Sequence, residues 1–288
     1  MTGKNRVRSA YRTIMNLLFR FLLVGGLLIG HHQHILAARV DTVSINSPAM
    51  HKLLKCVVIT PDQYGSAGPT RYPVVYLLHG HSGNYGDWIK KVPTLTVLAD
   101  RYQQIIVCPD GANSWYFDSP LNPAARYETF VGTELPTYVD ATYRTIPDRQ
   151  HRAITGLSMG GHGALYLAIR HQDTFGQAGS LSGGVDIRPF PNYWNIKDAL
   201  GEMATNAANW ERNTVINVAD SLRNGDLRLM IECGVNDFFI DVNRALHQKL
   251  LQQKIDHDYA ERPGAHTWTY WGDNIEKHLL FFRKGFAQ

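Results

Sequence analysis

The sequence predicts an α/β fold, a mostly parallel central sheet with helices on both faces. Short runs of strand character alternate with segments of helical spacing along most of the chain, and this alternation is typical of parallel sheets. Residues 72–79 form a continuous apolar run, as in a strand that is buried on both faces. No linker divides residues 39–288, which we therefore expect to form a single domain.

The predicted elements follow in chain order. The strands are short and apolar, and they lie at 40–45, 51–60, 72–79, 104–108, 150–155, 176–181, 227–233 and 256–261. The helices lie at 88–100, 127–143 with an interruption near Pro136, 164–170, 238–253 and 268–283. One irregular stretch at 189–213 is rich in Asn and Trp, and we expect it to form a small insertion over the functional site.

The N-terminus has the layout of a secretory signal peptide over residues 1–38. A basic start precedes an apolar run at 21–30, and Ala37-Ala38 offers a small-residue cleavage point. The run is shorter than the roughly 20 residues that a spanning helix needs. We therefore expect export to the periplasm or the medium. Because Leu36 fits the cleavage pattern poorly, an uncleaved membrane anchor stays an alternative.

Composition excludes some classes of function. The chain has 288 residues and a net charge of +4, and much of that charge lies in the first twenty residues. No basic stripe follows, so no nucleic-acid partner is expected. Neither a metal-ligand spacing nor a nucleotide-binding loop is visible, so we predict no metal and no cofactor. Cys56, Cys108 and Cys233 lie in strand-like runs and are expected to be buried, unreactive thiols.

The pattern Gly156-Leu157-Ser158-Met159-Gly160 stands between a predicted strand and a predicted helix. A nucleophilic serine in this setting sits on a sharp turn, where a Cβ at Gly156 or Gly160 would clash with neighbouring backbone. Ser158 is therefore the predicted nucleophile. The serine turn together with the strand–helix alternation predicts the α/β-hydrolase fold.

A serine hydroxyl needs a base and an orienting acid, which follow in the chain order Ser, Asp or Glu, His in this fold. Of the six histidines after Ser158, His266 lies in the loop between the last strand and the last helix, where ligands meet such a sheet. Asp237 follows the preceding strand and is the predicted acid. A helix N-cap is the alternative role for Asp237.

The oxyanion formed on attack needs two backbone donors. Met159 follows the nucleophile and supplies the first, and the loop His79-Gly80-His81-Ser82-Gly83 supplies the second through His81. The predicted pocket residues are Gly80, Trp88, Trp115, Tyr116 and Trp268. Aromatic side chains are more often part of the core than of a pocket, which is the alternative for the four aromatic residues.

With these residues in place, the chain from about Val40 onward resembles the putative-esterase family of α/β-hydrolases. The most specific pieces are Leu77-Leu-His-Gly80, Gly156 to Leu165, Cys233-Gly-Val-Asn-Asp237 and Gly264-Ala-His-Thr-Trp268. The family includes tributyrin, feruloyl and acetyl-xylan esterases, S-formylglutathione hydrolases and mycolyltransferases.

By this resemblance, Ser158, Asp237 and His266 match the family's catalytic triad, and His81 and Met159 match its oxyanion hole. The resemblance implies an exported serine carboxylesterase acting on short-chain or aromatic acyl esters, with carbohydrate esters among the candidates. An S-formylglutathione hydrolase-like thioesterase, an acyltransferase on the same triad and a non-catalytic carbohydrate-binding relative are the alternatives.

Overall fold

The computed structural model describes residues 37–65 and 68–287, so residues 1–36 of the predicted signal segment lie outside the described part. Leu36–Gln288 forms one compact unit. Within the described residues, eight strands build one sheet in the order β1-β2-β4-β3-β5-β6-β7-β8. They are β1 (Arg39–Ser47), β2 (Lys52–Thr60), β3 (Val74–Leu78), β4 (Ile105–Pro109), β5 (Arg152–Gly156), β6 (Gln177–Leu181), β7 (Arg228–Gly234) and β8 (Asp258–Arg262).

The sheet is mostly parallel, as predicted. Strands β1 and β2 are antiparallel to each other, and β2 is antiparallel to β4. Every later pairing, from β4 with β3 to β7 with β8, is parallel. Val75 of the central strand β3 lies between Ile106 and Ala153. Strands β3, β4, β5 and β6 are buried at every position. In β3 this burial agrees with the continuous apolar run seen in the sequence.

Helices cover both faces of this sheet. They are α1 (Asp87–Lys91), α2 (Leu95–Tyr102), α3 (Tyr127–Thr129), α4 (Leu135–Thr142), α5 (Met159–Arg170), α6 (Ile196–Leu200), α7 (Ala207–Arg212), α8 (Val215–Val218), α9 (Ile240–Gln252) and α10 (Trp268–Phe286). Tyr76 belongs to the core that contains α5 and α9, whereas Val75 and Leu77 belong to the core that contains α2 and α10. Alternate side chains of one strand thus reach two helix layers, which confirms the predicted α/β-hydrolase fold. None of the described helices is long and apolar enough to cross a membrane.

Two predicted helices differ from the structure. The helix predicted at 88–100 is split into α1 and α2, because Pro93 lies between them and cannot continue the hydrogen-bonding ladder. The interruption predicted near Pro136 lies earlier, in a π-helical turn at Phe130–Glu134. Pro136 itself stands in the first turn of α4, where its missing N–H removes no helical bond.

The three cysteines are buried and free, as expected. Burial raises the pKa of each thiol, to about 12 for Cys108, so all three are protonated and unreactive at neutral pH. The irregular stretch predicted at 189–213 contains the short helices α6 and α7, and it packs on the core through Ile196 and Trp210.

Candidate active site

Ser158 stands on the turn between β5 and α5, in a backbone conformation that residues other than glycine rarely adopt. Its φ and ψ are 55° and −117°. A Cβ on Gly156 would lie 2.7 Å from backbone atoms of Gly160 and Leu78, and one on Gly160 would lie 2.6 Å from the carbonyl oxygens of Leu78 and His79. The structure therefore confirms why both positions are glycine. Strain of this kind persists only where the surrounding structure holds it in place.

Three predicted side chains meet at this turn. His266 Nε2 lies 2.8 Å from Ser158 Oγ, and His266 Nδ1 lies 2.8 Å from Asp237 Oδ2. An ionised carboxylate accepts only, so Nδ1 carries the proton of a neutral imidazole and Nε2 accepts from the serine hydroxyl. This tautomer is the one that a general base requires.

Asp237 is held by more than the imidazole. Its Oδ1 accepts a hydrogen bond from the backbone N–H of Phe239 at 2.9 Å, and its side chain is fully buried. The carboxylate thus bridges Phe239 and His266, which fixes its orientation. The N-cap alternative is not what the structure shows, because α9 begins at Ile240 with Phe239 as its cap residue.

The loop after β3 also lies next to Ser158. Gly80, His81 and Ser82 border the same cavity as Ser158 and His266. The N–H of Gly111 donates to His79 Nε2 at 2.8 Å, so the imidazole of His79 carries its proton on Nδ1, which donates to the Gly80 carbonyl at 2.7 Å. This buried imidazole fixes the backbone that leads into His81.

Met159 is the first residue of α5. Amides in the first turn of a helix have no acceptor within the helix, and the helix dipole adds partial positive charge there. Met159 and His81 thus lie on the two segments next to Ser158 from which the two backbone donors are predicted.

The cavity at Ser158 has a volume of about 530 Å³. Of the predicted pocket residues, Gly80 and Trp268 border it. Trp194, Phe238 and Trp271 also border it and were not predicted. Trp194 stacks on Phe238 with ring centroids 5.4 Å apart, and the Phe238 ring lies 4.2 Å from that of His266. An aromatic wall therefore stands beside the imidazole.

The prediction that Trp88, Trp115 and Tyr116 line the cavity is wrong. All three are buried, and none of them borders the cavity at Ser158. The polar atom of each side chain has a hydrogen-bond acceptor in the interior, so its burial leaves no unpaired group. Trp88 donates to the Leu78 carbonyl, Trp115 to the Trp194 carbonyl and Tyr116 to the His79 carbonyl. They support the walls of the site from behind: the Trp88 ring, for example, packs edge-on against Trp268 at 5.2 Å.

A buried carboxylate anchors the loop that carries His266. Glu232 is fully buried in β7 and lies 3.0 Å from Arg262 at the end of β8. It also accepts a hydrogen bond of 3.1 Å from Tyr270 in the first turn of α10. Arg262 and Tyr270 stand at the two ends of the loop 263–267, so Glu232 ties both ends to the sheet.

Metal ligands do not cluster in the described part of the chain. Within residues 37–65 and 68–287, no group of three or more His, Cys, Asp and Glu side chains is placed to hold a metal ion.

The chain is similar to known proteins in sequence and in structure. Residues 47–282 match the family described as "Putative esterase". An acetyl esterase from Caldicellulosiruptor saccharolyticus is 27% identical, over 73% of this chain and 83% of that protein. A diacylglycerol acyltransferase/mycolyltransferase, Ag85A from Mycobacterium gordonae, is 27% identical over 82% of this chain and 78% of that protein. The solved structure of a ferulic acid esterase superposes with a TM-score of 0.74 at 28% identity, over 86% of this chain and 99% of that one.

Proposed function

Because the chain belongs to the putative esterase family, we propose that it hydrolyses carboxylic esters through an acyl-enzyme on Ser158. The chain is a serine hydrolase of the carboxylic-ester type. The observation that carries the assignment of residues is the continuous hydrogen-bonded line from Ser158 Oγ through His266 to Asp237.

The reaction begins when Ser158 Oγ attacks the carbonyl carbon of the ester and His266 Nε2 takes the hydroxyl proton. Asp237 stabilises the imidazolium through Nδ1–H, and the N–H groups of His81 and Met159 receive the oxyanion. The intermediate collapses, and His266 gives its proton to the departing alcohol. Water then repeats the cycle on the acyl-enzyme and releases the acid.

The substrate is an ester with a short or aromatic acyl group. The cavity volume suits a small ester, and the aromatic side chains of Trp194, Phe238, Trp268 and Trp271 offer flat apolar surfaces beside the reacting atoms. Among proteins of similar sequence and structure are an acetyl esterase and a ferulic acid esterase, which supports the same two classes of acyl group here.

An acyltransferase is the second candidate, because one relative is a diacylglycerol acyltransferase/mycolyltransferase. Both activities share the formation of the acyl-enzyme and differ in whether water or an alcohol accepts the acyl group. Adding acceptor alcohols and measuring transfer products against free acid distinguishes them.

Export is part of the proposal and depends on the sequence of residues 1–38 alone. It predicts that the protein recovered from its natural host lies outside the cytoplasm. Mass spectrometry of its N-terminus distinguishes a cleaved signal from a retained anchor.

The test of the mechanism is turnover of 4-nitrophenyl acetate, butyrate and octanoate and of methyl ferulate by the wild type and by Ser158→Ala. Ser221→Ala is the matched control, since Ser221 is exposed and only its hydroxyl contact with the Val218 carbonyl is lost. Loss of turnover in Ser158→Ala alone supports the acyl-enzyme, and the ranking of the esters gives the acyl preference. Turnover by folded Ser158→Ala at the wild-type rate would exclude it.

A further inference from the structure

Asn243 is a fully buried polar residue that belongs neither to the triad nor to the oxyanion hole. It lies near the start of α9. Its Nδ2 donates one hydrogen bond of 2.9 Å to the carbonyl of Gly183 and a second of 2.9 Å to the carbonyl of Phe239. Only the NH₂ group of the amide can bond to two carbonyl oxygens, so the orientation of the amide is determined. One side chain thus joins two separate segments of the chain.

The first of these segments is the turn after β6, residues 181–184, which holds the backbone of the nucleophile. The carbonyl of Leu181 accepts the N–H of Ser158 at 2.9 Å, and the N–H of Gly184 donates to the Ser158 carbonyl at 3.4 Å. Ser182 within this turn has a φ of 50°, in the left-handed region. The strained backbone of Ser158 is therefore held in place by a turn that is itself strained.

The second segment is the turn that carries the acid. Phe239 donates its N–H to Asp237 Oδ1 at 2.9 Å, and its carbonyl accepts the amide of Asn243. The two segments are in contact, since a Cβ on Gly184 would lie only 3.1 Å from Cζ of Phe239. Apolar contact brings the segments together but has no direction, so it does not prevent them from sliding. The bond from Asn243 to Gly183 is directional and fixes their relative position.

This arrangement lowers the stability of the fold. Oδ1 of Asn243 is buried without a hydrogen-bond partner among the described residues. A buried acceptor that leaves water and gains no partner destabilises the folded state. Asparagine is also a poorer helix former than leucine, which fills the other two buried positions of α9 at Leu246 and Leu250. An apolar residue would suit position 243 better if packing were its only role.

We propose that Asn243 is a positioning residue of the catalytic site. It fixes the distance between the turn that holds Ser158 and the turn that holds Asp237, so that His266 can bond to both at 2.8 Å. Asn243 does not border the cavity at Ser158, so it acts on the geometry of the acid and the base and not on the binding of substrate. This inference rests on the proposed acyl-enzyme mechanism and adds a residue to it.

Two substitutions separate the bridge to Gly183 from the bond within the helix. Asn243→Leu keeps the size of the side chain and removes both bonds. Asn243→Ser can still donate to the Phe239 carbonyl one turn earlier, as serine does in helices, and loses only the bond to Gly183. Asn274 is the matched control, because it is a buried asparagine of α10 whose Nδ2 donates to the Tyr270 carbonyl at 2.8 Å. Within the described residues, this Nδ2 bonds to no other segment.

The measurements are kcat and KM for 4-nitrophenyl acetate, with urea denaturation to show that each variant is folded. We expect Asn243→Leu and Asn243→Ser to lower kcat about tenfold and to leave KM within about twofold, because the acid and the base are displaced while the cavity walls are not. The same two substitutions at Asn274 should leave kcat within about twofold, although they also remove a buried hydrogen bond. If Asn243→Leu does not fold, Asn243→Ser decides alone.

A double-mutant cycle identifies the residue through which Asn243 acts. In the Asp237→Asn background the acid no longer orients His266, so adding Asn243→Ser should lower the residual kcat by less than about twofold. An equal loss of kcat in both backgrounds would indicate a general loss of packing and would overturn the proposal, as would an unchanged kcat in folded Asn243→Ser. If turnover requires Ser158 but not Asn243, this inference alone has failed. If the wild type turns over no ester of the panel, the proposed function itself has failed.

Discussion

Replacing Asp237 by asparagine changes one atom of the side chain and reverses the order of hydrogen bonds at the site. In the wild type, Oδ1 of Asp237 accepts the N–H of Phe239 at 2.9 Å. Nδ1 of His266 lies 2.8 Å from Oδ2, its nearer partner, and 3.0 Å from Oδ1. Asparagine has one acceptor oxygen, and the backbone N–H of Phe239, which cannot change its role, takes that oxygen. The amide NH₂ then faces His266 Nδ1 and needs an acceptor there.

His266 meets that need by placing its proton on Nε2, the atom that lies 2.8 Å from Ser158 Oγ. In this tautomer the imidazole cannot accept the serine proton. Losing the orienting carboxylate of such a triad lowers kcat by a factor on the order of 10⁴, which corresponds to about 5.4 kcal/mol of lost transition-state stabilisation.

The assay is the pre-steady-state and steady-state hydrolysis of 4-nitrophenyl acetate, with urea denaturation to show that the variant is folded. Asp241→Asn is the matched control, because its carboxylate lies one turn away and its side chain is 90% exposed. A folded Asp237→Asn that keeps more than about a tenth of the wild-type kcat would refute the assigned tautomer and the role of Asp237.

Three further changes test the surrounding structure. Gly156→Ala brings a Cβ to 2.7 Å from backbone atoms and should cost about 1–3 kcal/mol in urea denaturation, whereas Gly68→Ala, with nothing within 4 Å, should cost nothing of that size. Burial lowers the pKa of His162 to about 4 in the folded protein, whereas a histidine in the unfolded chain has a pKa of about 6.5. Between these two pH values only the unfolded state binds a proton at this residue, so the folded state loses stability as the pH falls. The wild type should therefore lose about 2 kcal/mol more than His162→Gln between pH 7 and pH 5, and equal pH dependence would contradict this. Glu232→Gln removes the charge that holds Arg262 and should lower kcat about tenfold with little change in KM, while Glu276→Gln at the exposed ion pair with Arg101 leaves kcat unchanged.

The residues around the nucleophile were predictable because their signals are local. A strand, a Gly-rich turn and a helix follow one another within twenty residues, and each imposes its own pattern on the sequence. The positions of Asp237 and His266 followed from a topological rule, since the carboxyl ends of parallel strands lie at one edge of the sheet. That rule places residues near each other without any knowledge of side-chain packing.

The cavity walls were predicted less well, because exposure depends on contacts between distant segments. Trp88, Trp115 and Trp268 look alike in the sequence, but Trp88 and Trp115 each find a carbonyl acceptor in the interior while Trp268 borders the cavity. Trp194 was missed as a pocket residue because it belongs to the insertion, and the sequence holds no regular period there that would show which side chain faces Ser158. Phe238 carried a usable signal, since it directly follows the predicted acid.

The distances along the chain between the members of the site have a consequence for folding. His266 and Ser158 are 108 residues apart, and Asp237 and His266 are 29 apart, yet all three must meet at hydrogen-bond distance. Loops of this length close late, after the strands that carry their ends have paired. Partly folded chains therefore lack an activated serine even when most of their helices have formed. During refolding, covalent labelling of Ser158 by a serine-directed phosphonate should consequently lag behind the recovery of the helical circular dichroism signal. Only molecules in which the sheet is complete through β8 should be labelled.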